Sequence, residues 1–191
     1  METVRAFIGC VLDLGATRKV QELSRATRAL ADPAGWAVRW VPPPSLHFTL
    51  RFLGDLDQGL IEPVADAMRA AARATPTLLV GVGGLGAFPD RDAPQVLYAD
   101  VTRGHEGLAG LAARLENALG ALGFPKADRP FVGHMTLGRV QSSRGGLASI
   151  TPAHTDCGVG TIGAVTLYRS DLFSKGAEYI ALARAPLGPD G

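Results

Sequence analysis

Charge is scarce in this sequence and almost evenly split by sign. Only 19% of the 191 residues are Asp, Glu, Lys or Arg, and 19 basic against 18 acidic side chains leave a formal net charge of +1. That balance excludes a broadly basic surface that coats nucleic acid indiscriminately, so any nucleic-acid contact has to be local. Cysteine is limited to Cys10 and Cys157. Neither has a C-x-x-C neighbour or a histidine at ligand spacing, which excludes a zinc motif and leaves two small buried thiols. No apolar run approaches the ~20 residues of a membrane span. The start, Met1-Glu2-Thr3-Val4-Arg5, runs into a short apolar stretch containing Asp13, without the long apolar region of a signal peptide. A soluble cytoplasmic protein is the expectation.

What is present is a chain that is 47% hydrophobic and long enough for a substantial core. Val4 to Leu12 predicts a buried strand, and Val20, Leu23, Thr27 and Leu30 mark a helix over about 16–31, stopped by Asp32-Pro33. Trp36 to Val41 predicts a second strand, followed by the stiff Pro42-Pro43-Pro44. A strand over 47–53 is turned by Gly54-Asp55, and Leu60, Ile61, Val64, Met68 and Ala71 mark the next helix. Leu78 to Val82 and Gln95 to Val101 predict strands. Leu108, Leu111, Ala112, Leu115, Leu119 and Leu122 give the clearest helical stripe, capped by Gly123 with Pro125 just beyond. Gln141 to Pro152, rich in Ser and Gly and holding Arg144, predicts a flexible loop beside the site. Short strands follow at 158–161, 165–172 and 178–185, the last two joined by Ser174-Lys175-Gly176, and the tail after Pro186 reads as frayed.

The run Gly81-Val82-Gly83-Gly84-Leu85-Gly86 superficially suggests a dinucleotide fingerprint. That fingerprint needs a helix after the glycines to hold pyrophosphate, and Phe88-Pro89-Asp90-Arg91-Asp92-Ala93-Pro94 is a loop instead. A strand end with tight turns is the expectation. His105 and His154 read as a surface and a loop histidine. The short connections favour an α/β (α+β) fold: two lobes with antiparallel or mixed sheets lining a central cleft and helices packed on the outer faces. Residues 1–188 form one two-lobed domain and 189–191 a tail.

One short pattern occurs twice. His47-Phe48-Thr49-Leu50 is matched, 87 positions later, by His134-Met135-Thr136-Leu137. Chance gives two such copies among four histidines roughly once in several thousand sequences of this composition. On a strand, His47, Thr49 and Arg51 share one face and Phe48, Leu50 and Phe52 the other. Across a cleft, two imidazoles titrating near pH 6.5 can divide labour, the neutral one taking a proton from water and the charged one giving a proton to a leaving oxygen. Each role is worth ~10²–10⁴ in rate, together very roughly 5–11 kcal/mol of barrier. A threonine two residues on can donate to a phosphate oxygen. No companion carboxylates or thiols stand at metal-ligand spacing.

With these motifs, and with Arg5-Ala6-Phe7-Ile8, Leu46 to Gly54, Gly86-Ala87-Phe88-Pro89 to Val96-Leu97-Tyr98-Ala99, Arg129-Pro130-Phe131, Leu167 to Leu172 and Gly176 to Leu182, nearly the whole chain resembles the two-histidine phosphoesterases. It is most similar to the RNA 2′,3′-cyclic phosphodiesterases once named 2′-5′ RNA ligases. The resemblance implies a two-lobed fold, no metal or other cofactor, and the opening of an RNA-terminal 2′,3′-cyclic phosphate to a 2′-phosphate. It implies His47 as proton donor to the leaving 3′ oxygen, His134 as proton acceptor from water, and Thr49 and Thr136 as phosphate ligands. The residues alone leave acid and base unassigned, because the motifs are nearly symmetrical. Arg51 joins the cleft face by parity. Arg139 matches the family pattern His-x-Thr-Leu-x-Arg yet points away with Met135 and Leu137 unless its strand bulges. Both are candidates for substrate binding. Gly133 stands before His134 where relatives commonly have proline, which bears on the loop and not on the chemistry.

The expected partners are RNA ends, tRNA fragments among them, or a small nucleotide cyclic phosphate, acted on by a monomer with no membrane association. Two other readings stay open: the reverse joining reaction of a 2′-5′ RNA ligase, and a non-catalytic RNA or nucleotide phosphate-binding module.

Overall fold

In the computed structural model, which describes residues 2–173 and 176–189, apolar alternation builds one continuous sheet. Its strands are β1 (Thr3–Cys10), β2 (Ala37–Trp40), β3 (Phe48–Asp57), β4 (Leu78–Phe88), β5 (Val96–Arg103), β6 (His134–Ser142), β7 (Asp156–Ile162), β8 (Ala164–Phe173) and β9 (Gly176–Pro186). The helices are α1 (Leu14–Ala31), α2 (Ile61–Arg73) and α3 (His105–Gly120). The strand order is β7-β4-β5-β6-β3-β1-β8-β9, with β2 on β6, and every pairing among the described residues is antiparallel. The two lobes anticipated from the sequence are thus halves of one sheet, β7-β4-β5-β6 and β3-β1-β8-β9. Among the described residues the sheet ladder joins these halves at the Phe48–Met135 pair alone. The proposed turn at Ser174-Lys175 and the last two residues of the proposed tail, Asp190 and Gly191, lie outside the described residues.

The helices bury most of the stripes that the spacing indicated, Val20, Leu23 and Thr27 of α1, Val64, Met68 and Ala71 of α2, and Leu108, Leu111, Leu115 and Leu119 of α3, whereas Leu30, Leu60 and Leu122 are exposed. No helix of the described chain is long and apolar enough to cross a membrane.

Four expectations change. The chain just after Pro186 is not frayed: Leu187 is buried and its N–H donates to the Gly163 carbonyl at 2.9 Å. Gly54-Asp55 is not a turn, because β3 runs on to Asp57, with Gly54 at φ +69° and Leu53 opposite no residue of β1. A glycine in the left-handed region absorbs this irregularity without ending the strand. The glycine run 81–86 likewise lies inside β4, where Gly84 at φ +75° is the extra residue of a bulge against β5. No helix follows. The stretch 141–152 is anchored, not a loose loop: Leu147 and Ile150 are buried in a short 3-10 turn, and the Trp36 indole N–H donates to the Arg144 carbonyl at 3.0 Å. Arg144 is thereby held against Gly35, whose added Cβ would stand 3.2 Å from the Arg144 Cδ.

Asp13 ties α1 to β7. Its carboxylate accepts from the N–H groups of Ala16 (3.0 Å) and Thr161 (2.6 Å), and these bonds hold its pKa below the usual carboxylate value. Stability from a lowered carboxylate pKa is present above the unfolded-state value and lost as pH falls through the folded-state value. Asp13→Ala should therefore cost about 1 kcal/mol of unfolding free energy near neutrality. In urea titrations the deficit relative to wild type should shrink as pH falls through the lowered folded-state pKa of Asp13.

Candidate active site

The single β3–β6 pair sets the site. Phe48 faces Met135 in antiparallel register, so the flanking residues oppose one another: His47 lies across from Thr136 and Thr49 across from His134. Phe48 and Met135 are fully buried. Alternation therefore sends both histidines and both threonines to the opposite, accessible face. The imidazoles are diagonal neighbours, a relation in which Cβ atoms stand about 7–8 Å apart or less. That gap suits one phosphate hydrogen-bonded on both sides.

Both rings are fixed in the same way. Nδ1–H of His47 donates to the Ser45 carbonyl at 2.7 Å, and Nδ1–H of His134 donates to the Val132 carbonyl at 2.7 Å. A carbonyl can only accept, so Nδ1 carries the proton and Nε2 is left for chemistry. In the free site the Thr49 hydroxyl donates to Nε2 of His47 at 3.1 Å. Burial lowers the His47 pKa, the Ser45 carbonyl opposes the shift, and the neighbouring His134 charge lowers it further. Burial thus favours the neutral form of His47.

Aromatic rings brace each imidazole, and sequence reasoning assigned them no role. Phe7 lies 4.8 Å from the His47 ring and Tyr179 meets it edge-on at 5.1 Å. Phe88 and Tyr98 meet His134 edge-on at 5.0 and 5.4 Å. Tyr98 is the register partner of Thr136, and Asp100 that of His134. The available signal was that Phe7, Phe88, Tyr98 and Tyr179 all stand in the short strings that carry the family resemblance. The glycine run acquires a purpose here, because a Cβ on Gly86 would fall 2.3 Å from the Tyr98 ring. Only glycine lets Tyr98 lie flat beside Phe88 and against His134.

Simple alternation fails after each motif, at the same place. Leu50 is an extra residue in β3, since Gly9 pairs with Thr49 and Ile8 with Arg51. Leu137 is an extra residue in β6, since Tyr98 pairs with Thr136 and Leu97 with Gly138. Each bulge inverts the side-chain parity beyond it. The expectation that Arg51 shares the face of His47 and Thr49 is corrected accordingly: Arg51 is beside core residue Ile8, with its guanidinium 3.5 Å from Glu116 of α3 and donating to the Pro125 carbonyl. Phe52, 50% exposed, takes the cleft face instead, with Arg5 over its ring at 4.9 Å. The same inversion turns Arg139 to the cleft face, where it is exposed, faces Arg39 across β2, and draws down the Tyr179 phenol pKa that burial raises. His105 is exposed at the start of α3, remote in sequence from both motifs.

A scan against family models matches residues 14–98 to the LigT-like phosphoesterases. An RNA 2′,3′-cyclic phosphodiesterase of Thermus thermophilus is 32% identical over 157 residues, covering 80% of this chain and 76% of that protein. A Geobacillus stearothermophilus protein of the same name is 32% identical over 159 residues, and the chain spans about half (49%) of its length. Among solved structures, TT0787 of Thermus thermophilus superposes with a TM-score of 0.81 at 26% identity, covering 98% of this chain and 100% of that one.

The packing of Tyr98 on Gly86 can be tested without substrate. Gly86→Ala should displace the Tyr98 ring and shift the His134 ring-proton resonances in NMR spectra, while those of His47 stay in place. Equal shifts at both histidines, or none, would show that Tyr98 does not brace His134.

Proposed function

The chain belongs to the LigT-like phosphoesterase family, and from that premise we propose that it is a metal-independent RNA 2′,3′-cyclic phosphodiesterase. The observation that carries the reading is the paired arrangement of the imidazoles: each has Nδ1–H locked to the carbonyl two residues upstream, and a threonine stands across the strand pair from each. A site that merely holds phosphate needs donors, but not two imidazoles that can each take or give a proton.

In this mechanism Nε2 of His134 takes a proton from water as the water oxygen bonds to phosphorus. The bond from phosphorus to the 3′ oxygen breaks, and protonated His47 gives its proton to that oxygen, leaving a 2′-phosphate and a 3′-hydroxyl. Thr49 and Thr136 donate to the non-bridging oxygens as charge develops there. Burial disfavours His47 in its acid form, but a bound phosphate anion favours the imidazolium and frees the Thr49 hydroxyl to turn to the phosphate. Arg139, on the cleft face, is a further ligand for the substrate, whereas Arg51 is engaged elsewhere.

The near-symmetry of the site makes the reverse reaction a second reading, with a 5′-hydroxyl in place of water. Hydrolysis and joining rates on the same ends decide between them. The same proposal takes residues 1–188 as one two-lobed catalytic unit with a tail at 189–191, acting as a cytoplasmic monomer on RNA ends, tRNA fragments among them.

His47→Ala and His134→Ala should each lower kcat by at least about 10²-fold on a cyclic-phosphate end, with chelators without effect on wild type. Near-wild-type turnover in either variant would sink the acid–base scheme. Because His47 is depressed in the free protein and raised by bound phosphate, the alkaline limb of kcat/KM should lie at lower pH than that of kcat. Coincident limbs would remove His47 as the acid.

A further inference from the structure

The two halves of the site are flanked differently. Residues 37–40 form β2 and pair with β6 from Gly138 to Ser142, closing that edge. Residues 124–127 stand in the same relation to the second motif, 87 positions on, yet form no strand on β3. The position equivalent to Gly138 is Arg51, and this exchange explains the difference. A Cβ on Gly138 would fall 2.6 Å from the Val38 Cγ1, so close pairing with β2 depends on glycine there. Arg51 instead spans the corresponding gap, reaching Glu116 and the Pro125 carbonyl, while Glu116 also accepts from the Ala127 N–H at 2.6 Å. Its Nε is buried without a partner. The result is a groove of about 810 Å³ that begins at Thr49 and runs past Phe52 to the loop carrying Lys126 and Arg129.

We propose that this groove holds the single-stranded RNA segment leading to the cyclic end, so that the strand runs along the open edge of β3 past Lys126 and Arg129 and not across β2. The proposal rests on the phosphodiesterase reading for what happens at Thr49, and on the groove's own chemistry for the rest. The groove is continuous with the phosphate site. Lys126 and Arg129 are exposed on its wall, and among the described residues neither is in an ion pair. Of the carboxylates lining it, Glu116 is neutralised by Arg51 and only Asp128 is free of an ion pair among the described residues. The half-exposed Phe52 ring stands at the lip with Arg5 already over it. A cationic track that follows the phosphates holds a single strand without base readout.

The test compares a cyclic-phosphate-ended oligonucleotide with a 2′,3′-cyclic mononucleotide, in wild type and in the double variant Lys126→Ala/Arg129→Ala. Wild type should prefer the oligonucleotide in kcat/KM by about tenfold, the scale of two exposed charge pairs to phosphate. The variant should lose that preference while turning over the mononucleotide normally. In parallel, anisotropy should follow binding of a 2′-phosphate-ended oligonucleotide. Its log–log salt slope should fall by roughly 1.4 in the variant, about 0.7 for each phosphate no longer neutralised by a side chain. Binding with that slope change but no turnover of either substrate by wild type would sink the hydrolase reading and leave the groove standing. Equal wild-type rates on the two substrates would overturn the proposal, as would equal losses on both in the variant. So would loss of the preference in Arg39→Ala alone, which would route the strand across β2. The bare β3 edge could otherwise pair with an extended strand of a second copy. A dimer in sedimentation that the double variant dissolves would identify that occupant and overturn the RNA assignment.

Discussion

The backbone pairing of Phe48 with Met135 is the constraint on which the rest of the site depends. Among the described residues it is the one backbone pair between β3 and β6, and both side chains are fully withdrawn from solvent. Burying two large apolar side chains there fixes the register, because a slip by one residue would drive His47, Thr49, His134 and Thr136 into the core. Two histidines 87 positions apart become diagonal neighbours through a contact that involves neither of them. The apolar residue inside each motif is thus as necessary to the geometry as the polar residues around it.

Duplicated sequence then gives duplicated local structure, but not duplicated surroundings. Both motif strands bulge at the leucine that follows threonine. Beyond the bulge one strand offers Phe52 and the other Arg139 to the cleft, and one turns Arg51 and the other Gly138 toward the core side. The chemistry at the centre is nearly two-fold symmetrical, while access to it is not. On the Gly138 side β2 closes the sheet edge; on the Arg51 side an arginine strut leaves it open. The imidazoles also differ in setting, since His47 is enclosed by Phe7, Tyr168 and Tyr179 and its proton affinity drops with that enclosure. Two copies of one motif can in this way acquire different roles without different side chains.

Much of this was legible in the chain itself. The helix stripes, the strands flanking them and the pairing of the two histidine motifs follow from spacing, because periodicity and turn chemistry are local properties. The lasting errors were also local in appearance. Gly54 and Gly84 read as turns, yet each is a bulge inside a longer strand, since a positive φ serves either purpose and only the partner strand decides which. The Ser- and Gly-rich stretch at 141–152 read as loose, yet Leu147 and Ile150 pin it to the core.

By itself the sequence determined the reactive groups, their spacing and the faces of the strands up to the first bulge, since alternation needs no knowledge of neighbours. Which arginine reaches the cleft was decided by the tertiary structure, because a bulge is a mismatch between two strands and a single strand carries no record of it. The aromatic braces, the protonated Nδ1 atoms and the open edge beside Thr49 belong to the same class. Each arises from residues far apart in the chain, or from a backbone carbonyl whose direction the fold sets, and no local pattern of side chains encodes them.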